Sequence, residues 1–274
     1  MFKYFLTITL FFLLVHFILS NTEQTFFSAL ITSIYEIQSP FSITYRNHGS
    51  NADRLLLPEL LSLFVYSFFI FFLSFCIALL TTFLLLNFYY CVSNSKKKVA
   101  RNLLTAVESI PDIMIFLIIQ LSVIYFYKLT GVTLFSIADS GNGRPYILPV
   151  ICLAIIPTIQ LTKMSINYLH EESKKTYIEF AYAKGIGKNA IFYKHLFRNI
   201  VPLLFYHSKP VFLFMLSSMF VIEYMFNLNG YMSFLFRGRI TPTILFIWFS
   251  VLFTPSFLYF YTMSIFLRRR GVNP

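Results

Sequence analysis

The sequence predicts an all-α membrane protein with six transmembrane helices and both termini in the cytoplasm. Three observations carry that prediction. Hydrophobic residues make up 57% of the 274 positions and aromatic ones 20%, while charged residues make up only 12%. A soluble domain is about half apolar and about a quarter charged. Six stretches stay apolar for the ~20 residues that a bilayer core takes as helix, and the basic residues gather in a few loops between them.

The first span, residues 4–22, carries no Asp, Glu, Lys or Arg. It reads as a retained helix rather than a secretory signal. Its apolar run exceeds the ~7–15 residues of a signal core, and no small-x-small cleavage site precedes Asn21. Residues 23–59 follow as an external segment with Pro40, Gly49 and Pro58, too short for a core of its own. The chain thus divides into 1–59 and a five-helix part, 60–274. Residues 60–95 form the second span. The third, about 105–127, holds Glu108 and Asp112 in its first turns. Four apart, they share a helix face and either offset the positive helix end, line a path or bind a basic partner. The fourth, 145–162, is bent by Pro149 and Pro157. The fifth runs over about 201–226 and the sixth over 240–267.

Orientation follows from Lys and Arg in the flanks. With the N-terminus inside, the inner side receives 15 of the 22 basic residues. They are Lys3, the Lys96–Arg101 cluster, the 163–198 loop and Arg268-Arg269-Arg270. The outer side receives 6, and Lys209 lies within the fifth span. The net charge of +11 therefore reflects the positive-inside pattern and not a nucleic-acid surface. Cys76, Cys91 and Cys152 fall in apolar stretches with no metal spacing, as small packed residues do. No paired His suggests a metal, and no Ser/His/Asp or Cys/His arrangement suggests catalysis.

The segment 177–202 is the most basic interruption, with Lys184, Lys188, Lys194 and Arg198 within 15 residues. Residues 176–184 read as a short helix ended by Gly185 and Gly187, whose positive-φ geometry turns the chain. A second helix starts near Lys188. At 100° per residue, Phe192, Tyr193, Leu196, Phe197 and Ile200 share one arc. Lys188, Lys194, His195, Arg198 and Asn199 share the other, with Ile191 among them. By periodicity alone this is a headgroup-binding helix or a plain positive-inside loop.

The residues add more. Glu179-x-Ala181-x-x-x-Gly185 resembles the EAA loop of ABC-importer permeases, whose pattern is Glu-Ala-Ala-x-x-x-Gly. Tyr177…Ala181-Tyr182-Ala183-Lys184-Gly185…His195-x-x-Arg198-Asn199-x-x-Pro202 is similar to the oligopeptide/dipeptide/nickel branch. So are Ser109-Ile110-Pro111, Leu148-Pro149 and Glu223-x-x-Phe226-x-x-x-Gly230. The likeness covers about residues 60–267. Phe180 replaces an Ala, Tyr182 stands where the branch has Arg, and Met232 replaces a second Gly. The Asp-Pro-Arg ending is missing.

The resemblance implies an ABC-importer permease fold with a coupling helix between the fourth and fifth spans, in a bacterial plasma membrane. The implied cargo is peptides or similar small solutes, such as nickel or metal chelates. The implied partners are a second, different permease, two ATPase subunits and an external solute-binding protein. ATP and Mg would sit on the ATPases, with no cofactor on this chain. The residues implied to couple to the ATPase are Glu179, Ala181, Lys184, Gly185, Ile186, Gly187, His195 and Asn199. Gly185-Ile186-Gly187-Lys188-Asn189 lacks the G-x-x-x-x-G-K-[ST] spacing that cradles phosphates, so the energy source is expected on another polypeptide.

Two readings of Lys209 stand open. With His207 it lines the translocation path, or it snorkels to the interface. Its cost of about 2.5–3.5 kcal/mol at a helix centre is offset by the surrounding apolar residues. Glu223 is read as bracing the loop that leads to Gly230 and as a path residue. His16 is read as an interhelical hydrogen-bonding group. A secondary transporter and a non-transporting permease-like sensor or scaffold are the alternative functions.

Overall fold

A computed structural model of the protein describes residues 31, 35–36, 38–39, 41–46, 53–133, 135–136, 144–236 and 241–269. The expected first span, 4–22, and His16 lie outside the described residues, as does the C-terminal Arg270. The chain divides into two units, Met1–Ser67 with Asn229–Leu258 and Phe68–Leu228 with Tyr259–Pro274.

In the first unit, β1 (Thr44–Arg46) pairs antiparallel with β2 (Asp53–Leu55), with Tyr45 opposite Arg54. This small hairpin was not legible in the sequence. Tyr45 is buried and meets Phe234 edge-on at 4.9 Å. Phe234 belongs to a 3-10 turn, Ser233–Phe236. Tyr231 is the centre of this unit. Its ring stacks on Trp248 at 5.3 Å. Its hydroxyl donates to the Trp248 carbonyl at 2.6 Å, and Trp248 Nε1 donates back to the Tyr231 carbonyl at 2.9 Å.

Four described helices are long and apolar enough to cross a membrane: α1 (Leu56–Cys91), α3 (Asp112–Thr130), α4 (Ile147–Glu172) and α9 (Pro242–Arg269). A bent pair makes a fifth. It comprises α6 (Lys188–Ile191), a π turn (Phe192–Leu196) and α7 (Phe197–His207), then α8 (Lys209–Met225), with a 50° bend between them. Other helices among the described residues are α2 (Asn94–Glu108) and α5 (Thr176–Ala183).

Three expectations about the spans need correction. The third span does not begin near 105. The chain breaks at Ser109-Ile110-Pro111, because Pro111 has no N–H and disfavours a helical Ile110. Glu108 and Asp112 therefore sit on different helices. Asp112 does lie in the first turn of α3. There its carboxylate accepts the Ile113 N–H at 2.9 Å and the Ser218 hydroxyl at 3.0 Å. Glu108 closes α2 at the negative end of its dipole and is held by Lys163.

The fifth span, expected to be continuous, is broken at Ser208. Pro210 denies its N–H to the preceding turn, and the Ser208 hydroxyl caps the Phe205 carbonyl at 2.7 Å. In the fourth span, Pro149 lies in the first turn of α4, where the missing N–H has no helical partner to lose. Only Pro157 falls inside that helix.

Within the second unit, α1 and α4 are joined by hydroxyls around Pro157. Thr81 and Thr158 meet at 3.0 Å, and Ser74 donates to the Val150 carbonyl at 3.1 Å. Such side chains give interhelical bonds in a medium without water. Ala78, Leu161 and Val211 form an apolar knot among α1, α4 and α8. Phe212 stacks on Tyr259 at 4.5 Å, and Tyr259 shares a hydrogen bond with Ser208 at 2.5 Å. The three cysteines are free, with Cys152 buried and Cys76 and Cys91 exposed.

Candidate functional site: the loop between α4 and α8

The eight residues of α5 are too few to be helical alone in water. They are held by docking. Ile178 and Ala181, three apart on one face, are buried together with Leu86 of α1, Ile166 and Leu169 of α4, and Ile191, Phe192, Leu196 and Ile200 beyond the turn. Tyr177, Glu179, Phe180, Tyr182 and Ala183 are exposed. Phe180 is 60% exposed, and the Lys184 ammonium lies 4.5 Å from its ring centre. The small Ala181 lets α5 lie close to this core, while Phe180 and Tyr182 are exposed.

The turn after α5 requires one glycine, not two. Gly185 has φ +76°, its N–H bonds to the Tyr182 carbonyl at 2.9 Å, and the Ile186 N–H reaches the Ala181 carbonyl at 3.2 Å. This is the paired-bond C-terminal motif, completed by an apolar contact of Ile186 with the core. Gly187 has φ −62° and open space at its Cβ position. The expectation that both glycines supply positive φ is therefore corrected at Gly187.

The second amphipathic helix also departs from the simple wheel. The π turn at Phe192–Leu196 adds a residue to one turn. The buried positions become Ile191, Phe192, Leu196 and Ile200, while Tyr193 is exposed. Ile191 is core, and Tyr193 is not. Lys194, His195 and Arg198 line two open clefts of about 660 and 510 Å³.

Polar contacts then fix the loop. The side chain of Glu172, the last residue of α4, is 5% exposed. Its Oε1 accepts from the Tyr177 hydroxyl at 2.5 Å and from Asn199 Nδ2 at 2.9 Å, and its Oε2 pairs with Lys175 at 2.7 Å. Asn199 Nδ2 also donates to the Tyr177 hydroxyl at 2.9 Å. Burial first, and then the Glu172 carboxylate, push the Tyr177 phenol up to about 12. His195 lies 6.3 Å from Tyr177 ring to ring. From α1, the Tyr90 hydroxyl reaches the Tyr182 hydroxyl at 3.1 Å and donates to the Lys188 carbonyl at 3.2 Å, and Asn87 donates to the Tyr193 hydroxyl.

Of the coupling residues named from sequence, Glu179, Ala181, Lys184, Gly185, Ile186 and Gly187 fall on α5 and its turn, and Asn199 reaches them through Glu172. Glu172, Tyr177 and Tyr90 were missed as a group. The one available signal was an acid pair, Glu171-Glu172, at a helix C-terminus, against the dipole preference. Tyr90 gave none, because its partners lie about 90 residues away.

Lys209 and Glu223 stand apart from the loop. Lys209 opens α8 with its ammonium 5.1 Å from the Tyr206 ring centre. Glu223 is buried in α8, and its carbonyl accepts the Leu228 N–H at 2.9 Å across a turn in which Asn227 has φ 47°. Among the described residues no His/Cys/Asp/Glu cluster fits a metal ion.

Residues 92–269 match the family described as binding-protein-dependent transport system inner membrane component. The inner membrane ABC transporter permease protein YejB of Escherichia coli O157:H7 is 36% identical over 84 residues, 30% of this chain and 23% of that protein. The oligopeptide transport system permease protein AmiC of Streptococcus pneumoniae serotype 4 is 28% identical over 89 residues, 30% of this chain and 18% of that protein. The matched stretch spans less than a quarter of either relative's length. With several apolar helices of spanning length and a match over more than half its residues, the chain is a multi-pass plasma-membrane protein and belongs to the family of binding-protein-dependent transport system inner membrane components.

Proposed function

We propose that the chain is the permease subunit of an ATP-driven importer of peptides or similar small solutes, with six spans and both termini cytoplasmic. Separate ATPase subunits act on it through the 177–199 loop. The observation that carries this reading is α5. It is a short helix anchored from beneath by Ile178 and Ala181, and it presents Glu179, Phe180, Tyr182 and Lys184 outward. A partner that grips this face moves a body already welded to α1, α4 and α7. Two states biased from both ends make such a device a coupler.

The peptide class rests on the likeness to AmiC, a permease of an oligopeptide transport system. A second, different permease, two ATPases binding ATP and Mg, and an external solute-binding protein complete the assembly in this reading. Lys209 and Glu223, on α8, are assigned to the path. Purification of the chain with its native partners tests the proposal. Co-purification of an ABC ATPase, lost on Phe180→Asp, is expected. Recovery of the intact chain with no ATPase refutes it. Labelling of single cysteines placed at Lys97 and Lys128 tests the orientation, with reaction expected from inside and outside respectively.

A further inference from the structure

The link between α4 and α5 is only three residues, Ser173-Lys174-Lys175. It cannot by itself set the angle between the helices. Apolar burial of Ile178 and Ala181 sets how deeply α5 sits, but such contact is non-directional and leaves α5 free to roll. Directional groups are needed to stop the roll. The Tyr90 hydroxyl meets Tyr182 from α1, and those that tie α5 to α4 and α7 converge on one carboxylate. Glu172 ends α4, Tyr177 lies in the first turn of α5, and Asn199 lies in the first turn of α7. All three meet at Glu172 Oε1 within 2.9 Å. The side chain is almost wholly removed from solvent and sits at the unfavourable end of the α4 dipole. Neither helix propensity nor surface solvation accounts for an acid there.

We propose that Glu172 is the positioning residue that locks α5 to α4 and α7. In this role it makes a displacement of α5 pass to both spans instead of being absorbed in the link. This rests on reading α5 as the coupling helix. The lock resides in Oε1 and not in the ion pair. Lys175 is 56% exposed, and an exposed partner contributes little. Tyr177 and Asn199, by contrast, need only an acceptor oxygen. The distinction separates two variants. Glu172→Gln keeps that oxygen and loses the charge. Glu172→Ala loses both, takes the acceptor from the Tyr177 O–H, and leaves Asn199 Nδ2 only the Tyr177 hydroxyl oxygen to donate to.

The test uses the full chain assembled with its partner subunits in lipid nanodiscs. Cys76, Cys91 and Cys152 are replaced by Ala, and nitroxides are placed at Ala183→Cys on α5 and Arg198→Cys on α7. Both sites are exposed. Pulsed spin–spin distance measurement is expected to give one narrow distribution for the parent. At least a twofold broadening is expected for Glu172→Ala, a lesser one for Asn199→Ala, and near-parent width for Glu172→Gln. ATPase co-purification stays unchanged in the two Glu172 variants. An Ala variant as narrow as the parent overturns the proposal. So does a Gln variant as broad as Ala, which would make charge the operative property. Loss of the whole complex in Ala and Gln alike reduces Glu172 to a folding role and also overturns it. If the parent chain recovers no ATPase, the coupling reading fails, while the distance widths still report whether Glu172 locks the three helices.

Discussion

The 172–200 loop and the α2–α3 segment are both amphipathic or apolar, and both interrupt or form a span. The structure treats them oppositely. The loop sinks two residues of α5 and four of the following helix into a shared core and closes its polar groups on Glu172 and Tyr90. In contrast, α2 has no buried residue, and α3 buries only Ile115 and Phe116. Its Ile113, Met114, Leu117, Ile118, Leu121 and Tyr125 are exposed on this chain. The loop closes on its own contacts. The α3 face is left open by the described residues of this chain. Buried contacts thus concentrate in the loop, and open apolar surface on α3.

The largest expected effect tests that contrast directly. Ile178→Ala removes a buried side chain and should destabilise the loop by about 2–5 kcal/mol. Leu121→Ala, on the open face of α3, should cost under about 0.5 kcal/mol. Hydrogen exchange of α5 and α3 in the purified chain reads both, and equal effects would erase the distinction. Next, Ala181→Leu overfills the seat of α5, at a cost of about 1–3 kcal/mol, seen as faster trypsin cleavage after Lys184.

Gly185→Val should cost about 1–2 kcal/mol, because a residue with a Cβ resists the left-handed region. Gly187→Ala should be silent, and a large loss at Gly187 would contradict the turn geometry. Glu108→Gln, which breaks the half-exposed pair with Lys163, should cost less than about 1 kcal/mol and leave the loop's protection unchanged.

The smallest effect is in pH. The folded phenol of Tyr177 is raised above its unfolded value. The hydrogen bond to Glu172 therefore contributes fully below pH ~10 and is lost as pH rises towards about 12. Ultraviolet titration of the parent minus Tyr177→Phe should place this phenol at the alkaline end. A normal phenol value would break the account of the buried contact.

Much of the loop was legible. The helix expected over 176–184 appears as Thr176–Ala183, and Gly185 ends it, because helix propensity, capping and a positive-φ turn are local properties. Legibility failed where one residue's partner lay elsewhere in the chain. The amphipathic wheel misassigned Ile191 and Tyr193, because a π turn widens one turn and re-phases the residues around it. The break at Ser208 was smoothed into a single span, because an apolar run on both sides hides a proline. Glu108 was read with Asp112 by spacing, although Pro111 puts them on separate helices.

Sequence by itself determined the solvent of this protein, the existence and approximate places of its apolar helices, and the short helix that interrupts them. Those follow from transfer free energy and local backbone preference, which each segment carries alone. Only the tertiary structure decided which face of α5 is anchored and which is offered. Only it revealed that Glu172, Tyr177 and Asn199 form one polar joint, and that Tyr90 braces it from α1. Those are directional bonds between groups from 5 to about 100 residues apart. No local rule specifies them, because they exist only once the helices that carry them have packed.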